Sequence, residues 1–130
     1  MDGAQILVVD DEPQLLRLMA RVLERDGHMV HVAPGAAEAL QLLDEAQVRP
    51  ALAVLDQNGL GAAAEDLLRA LRARLPDLHI LLMSGGEVDP SLAAALRAAG
   101  GRFLRKPFSP RQLSHAVSQV LSGDADPALA

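Results

Sequence analysis

The stretch that decides the fold is Ala51-Leu52-Ala53-Val54-Leu55-Asp56, an apolar run that ends in a carboxylate. Pro50 precedes the run, and we expect a loop, Gln57–Gly61, to follow it. A short apolar run between such breaks is typical of a strand buried in a parallel sheet. We therefore predict that Asp56 lies at the carboxyl edge of the sheet, where ligands bind in open α/β folds.

Three other strand-like runs also lead into polar groups. The runs and their groups are 6–9 with Asp10-Asp11-Glu12, 80–83 with Ser84, and 103–105 with Lys106-Pro107. Parallel strands would bring these groups to the same edge of the sheet as Asp56. Three carboxylates, a hydroxyl and an ammonium at one edge indicate a Mg²⁺-dependent site that accepts a phosphoryl group.

Strand-like and helix-like patterns alternate along the whole chain. The predicted strands span 5–9, 28–33, 51–55, 78–83 and 102–105. A helical pattern follows each strand, and the five helices are expected to begin near Pro13, Ala36, Ala63, Pro90 and Pro110. Five β–α pairs in succession predict an α/β fold, with a five-stranded parallel sheet and helices on both of its faces.

The composition limits the class of protein. A chain of 130 residues is expected to form one domain, and it has no cysteine for disulfides or thiolate metal sites. Aromatic residues make up 2% and the formal net charge is −5, so we expect neither nucleic acid nor membrane as a direct partner. The first residues do not resemble a signal peptide, and no apolar run approaches a bilayer span, so we expect a cytoplasmic location.

The candidate metal ligands are the carboxylates of Asp10, Asp11 and Asp56. Carboxylates that converge at strand ends repel one another, and a hard divalent cation relieves that repulsion. Three of the candidate residues also have an ordinary structural explanation: Asp11 could cap a helix, Ser84 could be a turn serine, and Lys106 could be a solvated surface lysine. Asp56 is harder to explain in this way, because it directly follows a buried strand. Lys106 is, however, the only lysine in a chain with eleven arginines, so composition alone does not explain its position.

Four stretches together resemble one known family. They are Ile6-Leu7-Val8-Val9-Asp10-Asp11-Glu12-Pro13, Leu52-Ala53-Val54-Leu55-Asp56, Leu82-Met83-Ser84-Gly85 and Phe103-Leu104-Arg105-Lys106-Pro107-Phe108. In order and separation they resemble the receiver (response-regulator, CheY-like) domain of bacterial two-component signalling. The resemblance implies a flavodoxin-like (βα)5 fold with strand order 2-1-3-4-5. Residues 1–122 would form the receiver domain, and residues 123–130 a short flexible C-terminal tail.

The resemblance also implies a role for each candidate residue. Mg²⁺ would be bound by Asp10, Asp11 and Asp56 together with the backbone carbonyl of Asn58. Asp56 would be the phosphoacceptor, and Lys106 would contact the phosphoryl group. Ser84 would provide the switch hydroxyl, and Phe103 would be the aromatic switch.

The implied partner is a histidine kinase or a histidine phosphotransfer protein that presents a phosphohistidine. Phosphorylation would switch the face formed by the fourth predicted helix, the fifth strand and the fifth helix. That face would then bind a downstream protein or form a homodimer. The domain would not be an enzyme, beyond catalysing its own phosphorylation and autodephosphorylation.

The chain departs from the family pattern after Asp56. Receivers usually carry a proline four residues after the phosphoacceptor and a glycine near the start of the third helix. This chain has Leu60 and Ala64 at those places, and its glycines are Gly59 and Gly61. We therefore expect a more flexible loop on a different path. One alternative is a degenerate receiver that acts as a phosphorylation-independent adaptor. Another is a phosphatase of the haloacid-dehalogenase type, although Asn58 stands where such enzymes usually carry a second acid.

Overall fold

A five-stranded parallel sheet forms the centre of the computed structural model, which describes residues 3–123. Its strands are β1 (Gln5–Val9), β2 (Met29–Ala33), β3 (Leu52–Asp56), β4 (His79–Ser84) and β5 (Arg102–Arg105). They lie in the order β2-β1-β3-β4-β5, and every neighbouring pair is parallel. The predicted fold class and strand order are confirmed.

Six helices connect and cover the strands in the described part of the chain. They are α1 (Pro13–Arg25), α2 (Ala36–Asp44), α3 (Gln57–Leu60), α4 (Ala63–Arg74), α5 (Pro90–Ala98) and α6 (Pro110–Leu121). Buried side chains of α2, α4 and α5 pack on one face of the sheet, and those of α1 and α6 pack on the other. Within residues 3–123 we find no helix with the length and apolar character that a membrane span requires.

The central strand β3 explains why the sheet needs apolar residues on both faces. All five of its residues are buried, and alternate side chains enter opposite hydrophobic clusters, with Ala53 and Leu55 on one face and Leu52 and Val54 on the other. Its register with β1 pairs Val9 with Leu55. The residues that follow this pair, Asp10 and Asp56, are therefore held side by side at the carboxyl edge.

Local sequence signals start the two helices that border this edge. Pro13 occupies the first turn of α1, directly after the acidic run, where its missing N–H leaves no backbone bond unmade. A reciprocal capping box starts α6: the Gln112 N–H donates to the Ser109 hydroxyl over 3.1 Å, and the Ser109 N–H donates to the Gln112 side chain over 2.7 Å. Because α1 follows β1 and α6 follows β5, both helices begin beside the carboxyl edge of the sheet.

The prediction of a loop at Gln57–Gly61 is wrong, because residues Gln57–Leu60 form the short helix α3. The Asp56 carboxylate caps this turn by accepting from the Gly59 N–H over 3.2 Å. Gly61 ends it with a φ of +57°, a conformation that glycine adopts at little cost. Of the tail predicted at 123–130, residues 124–130 lie outside the described part of the chain.

Candidate functional site

Three polar side chains are withdrawn from water at the carboxyl edge of the sheet. Asp56 ends β3, Ser84 ends β4 and Asp10 directly follows β1. Their exposed fractions are 2%, 4% and 1%, and they are the buried polar or charged residues among residues 3–123. Polar groups are rarely buried without partners, because desolvation is unfavourable. Their position at one edge marks this edge as the candidate site.

Three carboxylates share this site. Asp10, Asp11 and Asp56 each place one oxygen within 4.8 Å of the others, with Asp11 exposed and the other two buried. Asp10 Oδ1 accepts from the Glu12 N–H over 2.9 Å, while Asp10 Oδ2 is buried without a hydrogen-bond partner. A buried carboxylate oxygen that lacks a donor, facing two further carboxylates, fits a hard divalent cation such as Mg²⁺.

The electrostatics of Asp10 support the same interpretation. Burial raises the pKa of Asp10 from 3.8 to about 6, and the charges of Asp56 and Asp11 add to this effect. The Glu12 N–H and the Lys106 ammonium lower the pKa but do not cancel the increase. The protein therefore holds a carboxylate in a place that disfavours its charge, and a bound cation would reverse that penalty.

Lys106 supplies the positive charge of the site. Its Nζ lies 2.9 Å from Asp56 Oδ1 and 3.9 Å from Asp10 Oδ2. The lysine directly follows β5, and its backbone N–H donates to the Ser84 carbonyl over 2.9 Å, which holds the two strand ends together. The lysine is thus an ion-paired residue of the site, and the alternative of a solvated surface lysine is wrong.

Gly59 is a site residue that the sequence analysis did not identify. A Cβ at this position would lie 2.7 Å from Asp11 Oδ1 and 2.9 Å from Asp56 Oδ2, closer than real Cβ contacts allow. The backbone of α3 therefore approaches the carboxylates as closely as a residue without a side chain permits. The signal in the sequence was a glycine three residues after Asp56, which we interpreted only as a source of loop flexibility.

Ser84 is directed into its own loop in this conformation. Its hydroxyl donates to the Gly86 carbonyl over 2.9 Å and accepts from the Gly86 N–H over 3.3 Å. To hydrogen-bond a group on Asp56 it would have to leave these partners. Phe103 is half-buried and lines, together with Ser84, a groove of about 610 Å³ between α5 and β5. The two residues predicted as switches therefore border one space.

Two side chains of α3 hold the loop that follows Ser84. The Gly85 N–H donates to Asn58 Oδ1 over 3.1 Å, and Gln57 Nε2 donates to the Glu87 carbonyl over 3.2 Å. From the sequence we expected only the backbone carbonyl of Asn58 to contribute to the site, so this side-chain contact was missed. Gln57 and Asn58, the two residues that follow Asp56, thereby connect the end of β3 to the loop that follows Ser84.

The strand order, the edge position of three carboxylates and the lysine beside them define a flavodoxin-like α/β domain with an acidic pocket. A model of the response regulator receiver domain matches residues 6–118, and the chain belongs to this family. The family expected from the four sequence stretches is thereby confirmed.

This chain is similar to only part of the length of two longer curated relatives. The photosynthetic apparatus regulatory protein RegA of Cereibacter sphaeroides is 33% identical over 117 residues, which are 89% of this chain and 61% of RegA. The sensor kinase CckA of Brucella abortus is 32% identical over 119 residues, which are 92% of this chain and 13% of CckA. The chain thus spans less than two thirds of these relatives.

Solved structures show the same fold. NtrX from Brucella abortus, in complex with ADP, has a TM-score of 0.79 at 30% identity, covering 92% of this chain and 27% of NtrX. The chemotaxis protein CheY4 of Vibrio cholerae has a TM-score of 0.78 at 25% identity, covering 91% of this chain and 98% of CheY4. Similarity to CheY4 therefore extends over nearly the whole of both chains.

Proposed function

We propose that this receiver domain takes a phosphoryl group onto Asp56 from a phosphohistidine, in a reaction that requires Mg²⁺. The observation that carries the proposal is the position of the Asp56 carboxylate. It is buried, lies within 4.8 Å of the carboxylate oxygens of Asp10 and Asp11, and has the Lys106 ammonium 2.9 Å away. The phosphohistidine would come from a histidine kinase or a histidine phosphotransfer protein, the partners with which receiver domains work.

In the proposed step, an oxygen of Asp56 attacks phosphorus in line. The new O–P bond forms as the P–N bond of the phosphohistidine breaks, and the imidazole nitrogen keeps the electron pair and takes up a proton. Lys106 neutralises charge on the phosphoryl oxygens, so catalysis is mainly positioning and electrostatics. Asp10 and Asp11, with Asp56 and the backbone carbonyl of Asn58, would hold Mg²⁺, which supplies further positive charge beside the phosphoryl group.

We propose that the phosphoryl group acts on the output face through Ser84 and Phe103. The phosphoryl group carries close to two negative charges near pH 7, in place of the single charge of the carboxylate, and this favours a hydroxyl donor beside the new group. Ser84 would exchange its bond to the Gly86 carbonyl for one to the phosphoryl group, and Phe103 would move into the space that Ser84 leaves. The face formed by α5, β5 and α6 would then shift between two conformations and change its affinity for a partner.

The whole protein's activity is a separate proposal, because the relatives differ beyond the receiver domain. Their names include a sensor kinase and a DNA-binding transcriptional regulator. The expectation that nucleic acid is not a direct partner therefore concerns residues of this chain only. We propose that the domain itself is not an enzyme and signals from the cytoplasm through protein contacts.

The test is phosphorylation by a small phosphodonor with and without Mg²⁺. Acid-labile phosphate should reach about one per chain with Mg²⁺, and Asp56→Asn should abolish it. Lys106→Ala should uncouple phosphorylation from any change on the α5-β5-α6 face, because the ammonium next to the phosphoryl group is lost.

Unchanged labelling of Asp56→Asn contradicts the assignment of the phosphoacceptor. No labelling of the wild type favours the adaptor, and continuous release of phosphate from small esters favours the phosphatase.

A further inference from the structure

Asn58 is the only asparagine in the sequence, and a glycine follows it directly. Asparagine is a thermolabile residue, because the backbone nitrogen of the next residue can attack its side-chain amide. A following glycine leaves that nitrogen unshielded and its backbone unusually free to rotate. Asn58 is exposed, so water and solvent bases reach it. Sequence and exposure therefore provide the conditions for this reaction two residues after Asp56.

The packing of the acids against α3 explains why the residue after Asn58 is a glycine. A Cβ at Gly59 would lie 2.7 Å from Asp11 Oδ1 and 2.9 Å from Asp56 Oδ2, so a larger residue would displace one of these carboxylates or the helix. The same glycine leaves Asn58 without the steric protection that a bulkier neighbour gives. The reactive pair is thus a consequence of the close approach between α3 and the acids.

The contacts of α3 determine when the reaction can occur. The Gly59 N–H donates to Asp56 Oδ2 over 3.2 Å, and Asn58 Oδ1 accepts from the Gly85 N–H over 3.1 Å. These bonds hold the backbone nitrogen and the side-chain amide in place, and attack requires the Asn58 backbone to turn until the nitrogen reaches Cγ. Helix α3 has four residues, and a single turn opens far more readily than a whole domain unfolds.

We infer that Asn58 is a site of spontaneous deamidation, which proceeds when α3 opens. The Gly59 nitrogen gives its proton to a solvent base and attacks Asn58 Cγ. The N–Cγ bond forms, the Cγ–Nδ2 bond breaks, and the leaving nitrogen takes a proton from water and departs as ammonia. The cyclic imide then adds water at one of its two carbonyl groups and opens to aspartate or isoaspartate. Water is the only co-reactant.

The product changes the charge of the candidate site. A Cβ at Gly85 would lie 3.8 Å from Asn58 Oδ1 and 3.7 Å from Lys106 Cβ, so both side chains border the same point of the loop after β4. Deamidation therefore adds a carboxylate near the stem of the lysine that pairs with Asp56, beside the three carboxylates already present. In isoaspartate the main chain also gains a methylene group. Because ammonia has left, the change is permanent, unlike phosphorylation.

The experiment is incubation of the full chain without Mg²⁺, beside a free peptide of residues 52–65 that reports the unrestrained reaction. Peptide mass mapping should show the conversion of an amide to an acid at position 58, and an isoaspartate-specific carboxyl methyltransferase should label the same fragment. The folded chain should react within about a hundredfold of the rate of the peptide, because opening a single turn breaks few contacts. Asn58→Gln should lose both signals, since the longer side chain closes the ring much more slowly.

Two results would overturn the inference. One is a rate more than about a hundredfold below that of the peptide, because the reaction would then depend on global unfolding, which populates the open chain about a thousandfold less or rarer still. The other is a mass increase of equal size in the same fragment of Asn58→Gln, which would place the reaction on Gln57 instead of Asn58.

A further sample with saturating Mg²⁺ tests the control of the reaction by α3. The ion should slow deamidation about threefold or more, because it would hold Asp56 and the Asn58 carbonyl on either side of the reacting atoms. This sample alone rests on the proposed function. If Mg²⁺ leaves the rate unchanged, the proposed metal site fails and the assignment of Asn58 as the deamidation site stands.

Discussion

Strands β3 and β4 differ sharply between their interiors and their carboxyl ends. In the interior, Val54 lies opposite Leu81 in register, and both are fully buried among apolar side chains. At the edge, Asp56 and Ser84 are almost as deeply buried but are polar, and Asp10 lies beside them. Burial stabilises the first group and disfavours the second. The comparison indicates that the interior maintains the fold, whereas the edge keeps polar groups buried at a cost in stability, as we expect for the proposed phosphorylation site.

Adjacent residues of β3 provide the strongest test of this comparison. Leu55→Ala should lower the free energy of unfolding by about 2–5 kcal/mol, because it removes buried methyl groups from a packed cluster. The variant should still take up phosphate under conditions in which it is folded. Asp56→Asn should do the opposite, with no loss of stability and complete loss of phosphorylation. Denaturant unfolding of both variants measures this, and a large stability loss in Asp56→Asn would contradict the comparison.

Asp10→Asn tests the energetic penalty of the edge. Because the folded pKa of Asp10 is raised from 3.8 to about 6, the folded state binds the extra proton between these values, and stability falls as the pH rises through that window. Without Mg²⁺, the variant should be more stable than the wild type at pH 7 by on the order of 2–3 kcal/mol. It should also lose the stabilisation that Mg²⁺ provides.

The control for this prediction is Asp11→Asn, which changes an exposed carboxylate of the same cluster. It should weaken the Mg²⁺ effect but change stability without Mg²⁺ by less than about 0.5 kcal/mol. Denaturant unfolding at pH 5 and pH 7, with and without Mg²⁺, separates the two variants. We predict that the wild type loses stability as Asp10 ionises. If the wild type instead became more stable from pH 5 to pH 7 in proportion to Asp10 ionisation, the predicted direction of the pH dependence would be contradicted.

Gly59→Ala tests how closely α3 approaches the acids. The added Cβ would displace the carboxylate of Asp11 or the backbone of α3, so the Mg²⁺ affinity should fall several-fold, up to about tenfold or 1.4 kcal/mol. Gly86→Ala is the matched control, because a Cβ there meets nothing within 4 Å. The shift of the thermal midpoint with Mg²⁺ concentration measures both. Equal Mg²⁺ affinity of the two variants would show that α3 does not restrict the carboxylates.

The smallest expected effect concerns the contact between α3 and the loop after β4. Asn58→Ala removes the acceptor for the Gly85 N–H, and its effect on global stability should be within about 1 kcal/mol. The exchange of the Gly85 amide hydrogen should become faster, since the loop loses one of its connections to α3. Unchanged protection of that amide would show that the side chain of Asn58 does not hold the loop.

The sequence predicts the interior of the molecule better than its edge contacts. The bounds of β1 and β5 are confirmed because continuous apolar or alternating runs are bounded by proline, glycine or charge. The positions of Asp10 and Asp56 could be predicted because each lies at the carboxyl end of a strand, and the carboxyl ends of parallel strands meet at one edge of the sheet. Helix α3 was missed, because Gly59 within it and Gly61 directly after it disfavour helix, and because the cap by Asp56 depends on a side-chain conformation.

Two further features escaped the sequence analysis for other reasons. The contact of Asn58 with the Gly85 N–H joins segments that lie 27 residues apart, and periodicity carries no information about such a pair. Residues 90–123 contain five Lys or Arg residues and neither Asp nor Glu, and this segment of positive charge was missed because a net charge of −5 averages over the whole chain. Counting charge by element, rather than by chain, would have revealed the segment from the sequence alone.

Reduction of the phosphorylated protein with borohydride, followed by peptide mass mapping, tests the central claim most directly. An acyl phosphate is converted to an alcohol, so the modified residue is marked covalently at its position. The reduced side chain should be found at position 56, only in samples that received both the phosphodonor and Mg²⁺. A mark at Asp10, Asp11 or another acidic residue, or phosphate found on a histidine instead, would contradict the assignment of Asp56 as the phosphoacceptor.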